Sequence, residues 1–181
     1  MPKRAAIFID RDGTLIDDVG YIKKISEVRF YPFTIEALSL LQPHFCFFII
    51  TNQSGIGKGL TTEDEVSVVN QYIVETLKKE GINIEEVYSC PHKSEDDCAC
   101  KKPKTQFIEK ANEQHDIDLN KSFIIGDHPS DVQCGINAGI FPIYLLTGHG
   151  TMHQHEIDAE TVVCPNILEA SKYIITKHNL V

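Results

Sequence analysis

The sequence predicts an α/β fold, a Rossmann-like parallel sheet with helices on both faces, and three observations carry that expectation. Short apolar runs at 5–9, 45–50, 123–125 and 141–146 lack the polar alternation of a half-exposed strand, so each reads as a strand buried on both faces. Stretches with helical apolar spacing separate them, the pattern of right-handed βαβ crossovers. Three of the four runs end in a polar turn, and in open α/β sheets the carboxyl ends of the strands are where ligands sit.

The first strand ends in Asp10-Arg11-Asp12-Gly13-Thr14, which puts two carboxylates one residue apart at such an edge, where they are expected to share a divalent cation. Residues 17–31 show no clean period and read as a loop or short hairpin. Pro32 opens a helix carrying Ile35, Leu38 and Leu41 until Pro43. The second strand, 45–51, ends in Asn52-Gln53-Ser54-Gly55. Thr61 or Thr62 caps a helix whose first turn holds Glu63, Asp64 and Glu65 and which runs to Lys79, before Gly81. Residues 84–89 form a third strand and 90–102 a polar, metal-like loop. A helix follows Pro103 to about Gln114. A fourth strand, 123–127, leads into a helix over 130–138, then a fifth strand, a polar loop over 149–160, a short sixth strand at 162–164 and a closing helix over 166–177. The whole is expected to be one domain, 1–181, with a sizeable core for its 42% hydrophobic content. No sizeable insertion separates the motifs, so no cap domain is expected over the site.

A net charge of -9 and a pI near 5.3 exclude non-specific nucleic-acid binding, which needs a basic surface. The longest apolar stretch, 45–50, is too short to span a bilayer, and Asp10 and Arg11 stand where a secretory leader would be apolar. The expectation is a cytoplasmic monomer acting on a small phosphorylated molecule. Of six cysteines, Cys46, Cys134 and Cys164 read as small buried side chains, whereas Cys90, Cys98 and Cys100 cluster with His92. Three thiolates and one imidazole suit a tetrahedral structural Zn²⁺ with no open position, which would fix the lysines that follow.

Carboxylates, a hydroxyl, a lysine and a metal are the parts needed to move a phosphoryl group. The motifs DRDGT, TNQ after a strand, KKP and GDHPSD resemble, in order and placement over roughly residues 5 to 150, the haloacid dehalogenase (HAD) superfamily of phosphatases. Asp10, at the strand end, is the candidate nucleophile and would form an aspartyl-phosphate. Asp12 would protonate the leaving oxygen and deprotonate the attacking water. Thr51 would donate to a phosphoryl oxygen, and Lys102 would neutralise both the phosphate and the attacking carboxylate. Mg²⁺ would be held by Asp10, Asp127 and, as the resemblance implies, the Asp12 backbone carbonyl. Asp131 would orient metal-bound water or pair with Lys102.

With the zinc loop, Asp18-Val19-Gly20-Tyr21 and TNQSGI, the chain is similar to the D-glycero-D-manno-heptose 1,7-bisphosphate 7-phosphatase group, whose near relatives include histidinol-phosphate phosphatases. That resemblance implies substrate contacts from Asp18, Val19, Gly20, Tyr21, Asn52, Gln53, Ser54, Lys101 and His128. It also marks two departures: Lys101 stands where the group commonly has Arg, and His128 where it commonly has Lys. Competing expectations are the same chemistry on histidinol phosphate, a phospho-accepting receiver domain, and a zinc-stabilised binding module. His149, His153 and His155 read as solvated, and Thr147-Gly148 as part of the site rim.

Overall fold

The computed structural model describes residues 3–179. Six strands, β1 (Ala6–Ile9), β2 (Cys46–Asn52), β3 (Ile84–Cys90), β4 (Phe123–Gly126), β5 (Phe141–Leu145) and β6 (Val162–Cys164), form one sheet in the order β3-β2-β1-β4-β5-β6, with every pairing parallel. The order reverses at β1, which has β2 on one side and β4 on the other. That reversal opens a crevice at the carboxyl ends of β1 and β4.

Period-two alternation divides the core between two faces. Ile7, Ile9, Phe47, Ile49 and Ile125 point to the side covered by α1 (Thr34–Leu41), α2 (Glu63–Lys79) and α6 (Ile167–Lys177). Ala6, Phe8, Phe48, Ile50 and Ile124 point to the side covered by α3 (Gln106–His115) and α4 (Pro129–Ala138). Helix α2 starts where its caps dictate: Thr62 Oγ1 accepts from Glu65 N–H at 3.1 Å, and Glu65 Oε2 accepts from Thr62 N–H at 2.9 Å. Of the two threonines, Thr62 is therefore the cap. Helix α4 begins with Pro129 and ends at Gly139, whose φ of +69° closes the turn.

Two expectations need correction. The helix after Pro103 starts only at Gln106, because Lys104 N–H first closes a turn onto Lys101 O at 2.9 Å. The segment expected as a polar loop contains a short helix α5 (Gly150–His153) and a 3₁₀ turn (Gln154–Glu156). It is anchored by the buried Tyr144, whose hydroxyl donates to Gly150 O at 2.8 Å. Four residues of helix are too few to show a period. Segment 17–31 is a hairpin-like loop closed by an antiparallel bridge between Ile16 and Phe30, with Asp17 N–H donating to Arg29 O at 2.8 Å, and it carries one 3₁₀ turn at Ile25–Glu27. Among the described residues no separate layer stands over the crevice.

Phe48 is fully buried and stacks on Phe8 at 5.3 Å between ring centroids and on Tyr88 at 6.4 Å. Phe48→Ala is expected to cost about 3–5 kcal/mol and to lower the melting temperature by on the order of 10 °C, read by thermal unfolding. Val68→Ala, at an exposed position of α2, should leave it unchanged.

Candidate active site

Because all strands are parallel, the turns after β1, β2 and β4 meet at one edge. Asp10 follows β1 directly, and its N–H donates to Ile125 O of β4 at 2.9 Å, so the backbone holds it at the crevice. Lys102 arrives from the loop after β3. Its backbone N–H donates to Asn52 Oδ1 at 3.0 Å, and Asn52 Nδ2 donates to Lys102 O at 3.2 Å, which clamps the loop to the end of β2. The ammonium donates to Asp10 Oδ1 at 2.7 Å, to Ile50 O at 2.8 Å and to Asp131 Oδ1 at 2.5 Å. All three of its protons are thus used in a site where the lysine is 4% exposed. Burial alone would lower the Lys102 pKa, but Asp10 and Asp131 raise it above the ordinary lysine range.

Asp10, Asp127 and Asp131 bring carboxylate oxygens within 4.8 Å of one another. Burial raises the Asp10 pKa, Lys102 opposes that, and Asp131 adds to it. Asp127 has no lysine partner: burial first, then the charges of Asp10 and Asp131, push it up to about 9. A cation beside it would favour its ionised form. Asp131 is occupied already, since its Oδ2 accepts from His128 N–H at 3.1 Å while Oδ1 takes Lys102. Asp10 and Asp127 are therefore the carboxylates that fit a hard divalent ion, with Asp131 paired to the lysine. The wall behind Asp127 is glycine of necessity. A Cβ on Gly13 or on Gly148 would sit 2.2 Å from Asp127 Oδ2, and both residues have positive φ. Thr147 Oγ1 ties the two turns together by donating to Gly13 O at 2.6 Å, and His149 N–H donates to Asp127 Oδ2 at 2.8 Å.

Asp12 faces the other way. Arg11 donates to it twice, from Nε at 3.0 Å and Nη2 at 3.1 Å, and Gln53 Nε2 donates at 2.8 Å. Thr51 Oγ1 lies 3.5 Å from the same carboxylate and accepts from Gln53 Nε2 at 2.7 Å. These groups surround a cavity of about 540 Å³. Of the predicted substrate contacts, Asp18, Gly20, Tyr21, Asn52, Gln53, Ser54, Lys101 and His128 line it, and Val19 does not, its side chain lying 53% exposed. Lys101 is turned partly aside, its ammonium 3.3 Å from His92 O. The His128 pKa is lowered by burial and by the neighbouring His153.

Sequence reasoning missed four contributors, one of them Ser94, which lines the cavity from the loop after β3. His149, read as solvated, lines the cavity with Nε2 3.4 Å from Asp18 Oδ2. Ser130 lines it from the start of α4. Arg11, read as part of a motif and given no task, is buried and holds Asp12. The adjacency of Gly148 to a motif-rich edge was the one available signal for His149.

Beyond Lys101, Cys90, His92, Cys98 and Cys100 place their donor atoms within 4.8 Å of one another. Cys90 Sγ is 3.1 Å from Cys100 Sγ, 3.8 Å from Cys98 Sγ and 3.5 Å from His92 Nδ1, and His92 Nδ1 is 3.2 Å from Cys100 Sγ. Bonds of about 2.3 Å to sulfur and 2.0 Å to nitrogen give tetrahedral edges of roughly this length, so the donor set fits zinc. Burial and the thiol of Cys100 push Cys90 up to about 12. Burial also raises Cys100; it acts the same way on Cys98, but the N–H groups of Lys101 and Cys100 outweigh it and lower that thiol.

A HAD-hydrolase-like family model matches residues 99–170. The chain is 36% identical over 171 residues to the D-glycero-beta-D-manno-heptose-1,7-bisphosphate 7-phosphatase of Helicobacter pylori strain J99, covering 93% of this chain and 96% of that one. It is 37% identical over 145 residues to the corresponding alpha-anomer phosphatase of Campylobacter jejuni, covering 80% and 83%. A bifunctional histidine biosynthesis protein of Blochmanniella floridana matches at 36% over 74% of this chain and 39% of its own length. Among solved structures, the D,D-heptose 1,7-bisphosphate phosphatase of B. bronchiseptica, complexed with magnesium and phosphate, superposes with a TM-score of 0.88 at 26% identity, covering 96% of this chain and 99% of that one.

The raised Asp127 pKa has a stability consequence in metal-free protein. The folded state holds that proton up to about 9, whereas the ordinary value is 3.8, so this contribution is complete below about pH 4 and is lost as pH rises through 9. In EDTA the melting temperature should fall between pH 5 and 8.5, by at most about 1.4 kcal/mol per pH unit for one group, and a divalent cation should flatten the slope. A flat profile in EDTA would show Asp127 ionised throughout.

Proposed function

The chain belongs to the HAD-like phosphatases, within them to the D-glycero-D-manno-heptose 1,7-bisphosphate 7-phosphatase family, and on that premise we propose that it is a magnesium-dependent phosphomonoesterase removing the 7-phosphate from that bisphosphate. The observation that carries this reading is the buried ammonium of Lys102 between Asp10 and Asp131, with Asp127 beside them and Asp12 two residues on. Mg²⁺ held by Asp10, Asp127 and the Asp12 carbonyl would supply positive charge to the phosphoryl oxygens.

The residues then divide the work. Lys102 and the turn after Thr51 draw the phosphate in and lessen its repulsion by Asp10. An Asp10 oxygen bonds to phosphorus as the bond to the sugar oxygen breaks, and Asp12 gives that oxygen its proton. Water next bonds to phosphorus, its proton passes to Asp12, and the bond to Asp10 breaks. Phosphate leaves, with Asp10 again a carboxylate and Asp12 again an acid. Asp18, Gly20, Tyr21 and Lys101 would contact the sugar, and an open cavity without a covering layer suits a bulky one. Cys90, His92, Cys98 and Cys100 would hold a structural zinc that sets Lys101 and Lys102, an arrangement suited to a single catalytic domain in a reducing cytoplasm. No described helix is long and apolar enough to cross a membrane.

Phosphate release from both anomers of the heptose bisphosphate and from histidinol phosphate, with Mg²⁺, tests the assignment. The heptose compound should turn over fastest, and Asp10→Asn should lose at least about a thousandfold in kcat. Faster histidinol phosphate turnover would shift the substrate to the alternative that the Blochmanniella relative represents. Equal rates in wild type and Asp10→Asn would overturn the mechanism.

Zinc has its own signature. Binding must expel the proton of Cys90, whose thiol sits near 12 without metal, so affinity should climb as pH rises from 6 to 8 and protons should be released on loading. Chelator competition measures the affinity, and a pH indicator in weakly buffered solution the protons released on direct loading. Cys98→Ser should weaken binding and lower kcat, because Lys102 lies four residues further on.

A further inference from the structure

Asp12 is held by a chain of hydrogen bonds that leads out of the catalytic cavity. Its two oxygens accept from Nε and Nη2 of Arg11, which is 1% exposed and so has no water to fall back on. The third arm of the guanidinium, Nη1, donates to Asn70 Oδ1 at 2.7 Å. Asn70 lies in the middle of α2, and its Nδ2 donates in turn to Ser89 Oγ of β3 at 2.9 Å. Asn70 and Ser89 are half-buried and line a different hollow, a groove of about 800 Å³ between α2 and β3.

A guanidinium is flat, so gripping all three of its nitrogens sets its plane and its position together. With only the two arms on Asp12 satisfied, the guanidinium could shift on the long arginine stem and pull the carboxylate against its remaining hydrogen bond from Gln53. Asn70 removes that freedom. The bond to Ser89 in turn orients the Asn70 amide, presenting its oxygen, the only end that can accept, to the cation.

We propose that Asn70, backed by Ser89, is a positioning residue for phosphoryl transfer, fixing Arg11 and through it the Asp12 carboxyl group that moves the proton in both half-reactions. The inference rests on the phosphatase reading above. Displacement by even a fraction of the reach of a hydrogen bond is costly for a group that must meet first the leaving oxygen and then the attacking water.

The test compares magnesium- and zinc-loaded wild type, Asn70→Leu and Asn70→Asp on the heptose bisphosphate and on p-nitrophenyl phosphate. Leucine keeps the volume and removes the acceptor; aspartate keeps an acceptor for Arg11, and Ser89 can donate to it. Asn70→Leu should lower kcat on the sugar phosphate by about tenfold to a hundredfold, part of the roughly hundredfold to ten-thousandfold that general acid–base catalysis supplies, with KM within about twofold. Asn70→Asp should recover most of that loss. Nitrophenolate departs without a proton, yet the water must still lose one, so on the aryl ester Asn70→Leu should show a stoichiometric burst, a slow steady state and phosphorylated Asp10 after acid quench. A merely structural role would give a lowered melting temperature with no burst and no rescue, and that overturns the inference, as does a kcat for Asn70→Leu equal to wild type. Wild type inactive on every ester would instead bring down the phosphatase reading and this inference with it.

Discussion

The site depends on one buried ammonium. Lys102 spends all three protons on Asp10, Asp131 and the Ile50 carbonyl, and without it three carboxylates would face one another across less than 5 Å in a poorly hydrated crevice. Three carboxylates against one ammonium leave two negative charges, which one divalent cation balances. A phosphate dianion can then approach Asp10 without meeting net repulsion. Burial, and after it the charges of Asp10 and Asp131, raise the Asp127 pKa, and no lysine reaches that carboxyl group to oppose them.

That lysine is placed by two structural devices rather than by its own strand. The clamp between Asn52 and the Lys102 backbone joins the loop to the end of β2, and the Cys/His cluster closes the loop just before it. The cluster also reaches the turn after β2, where Gly57 N–H donates to Pro91 O at 2.8 Å and a Cβ would meet that oxygen at the same distance. The loop has almost no apolar residues with which to pack, and a metal held by these four donors would be a physical means to order it.

Much of this was legible in the chain because parallel strands all end on one edge. Any polar residue directly after a buried apolar run must surface there, which located Asp10, Thr51 and Asp127 from sequence alone. Ligand spacing did the same for Cys90, His92, Cys98 and Cys100. Arg11 was opaque for a definite reason: an arginine between two aspartates normally reaches water, and its burial is decided by Asn70, which is 59 positions away. His149 was opaque because its contact with Asp127 runs through backbone N–H, a donor that every residue but proline carries. Val19 shows the converse, a motif position whose side chain points away from the cavity its neighbours line.

The two acids of the opening motif therefore have different partners, and that contrast would let one strand end serve the two tasks proposed for it. Asp10 leans on Lys102 and lies beside Asp127, where a fixed carboxylate oxygen would suit the attack on phosphorus proposed above. Asp12 leans on Arg11, Gln53 and Thr51, a set of donors separate from the lysine that holds Asp10. Nearby carboxylates sharing one set of partners would compete for the same proton, and separating their partners separates their roles. The turn at Gly13 makes this possible, since a side chain there would strike Asp127 and force the strand end away from β4.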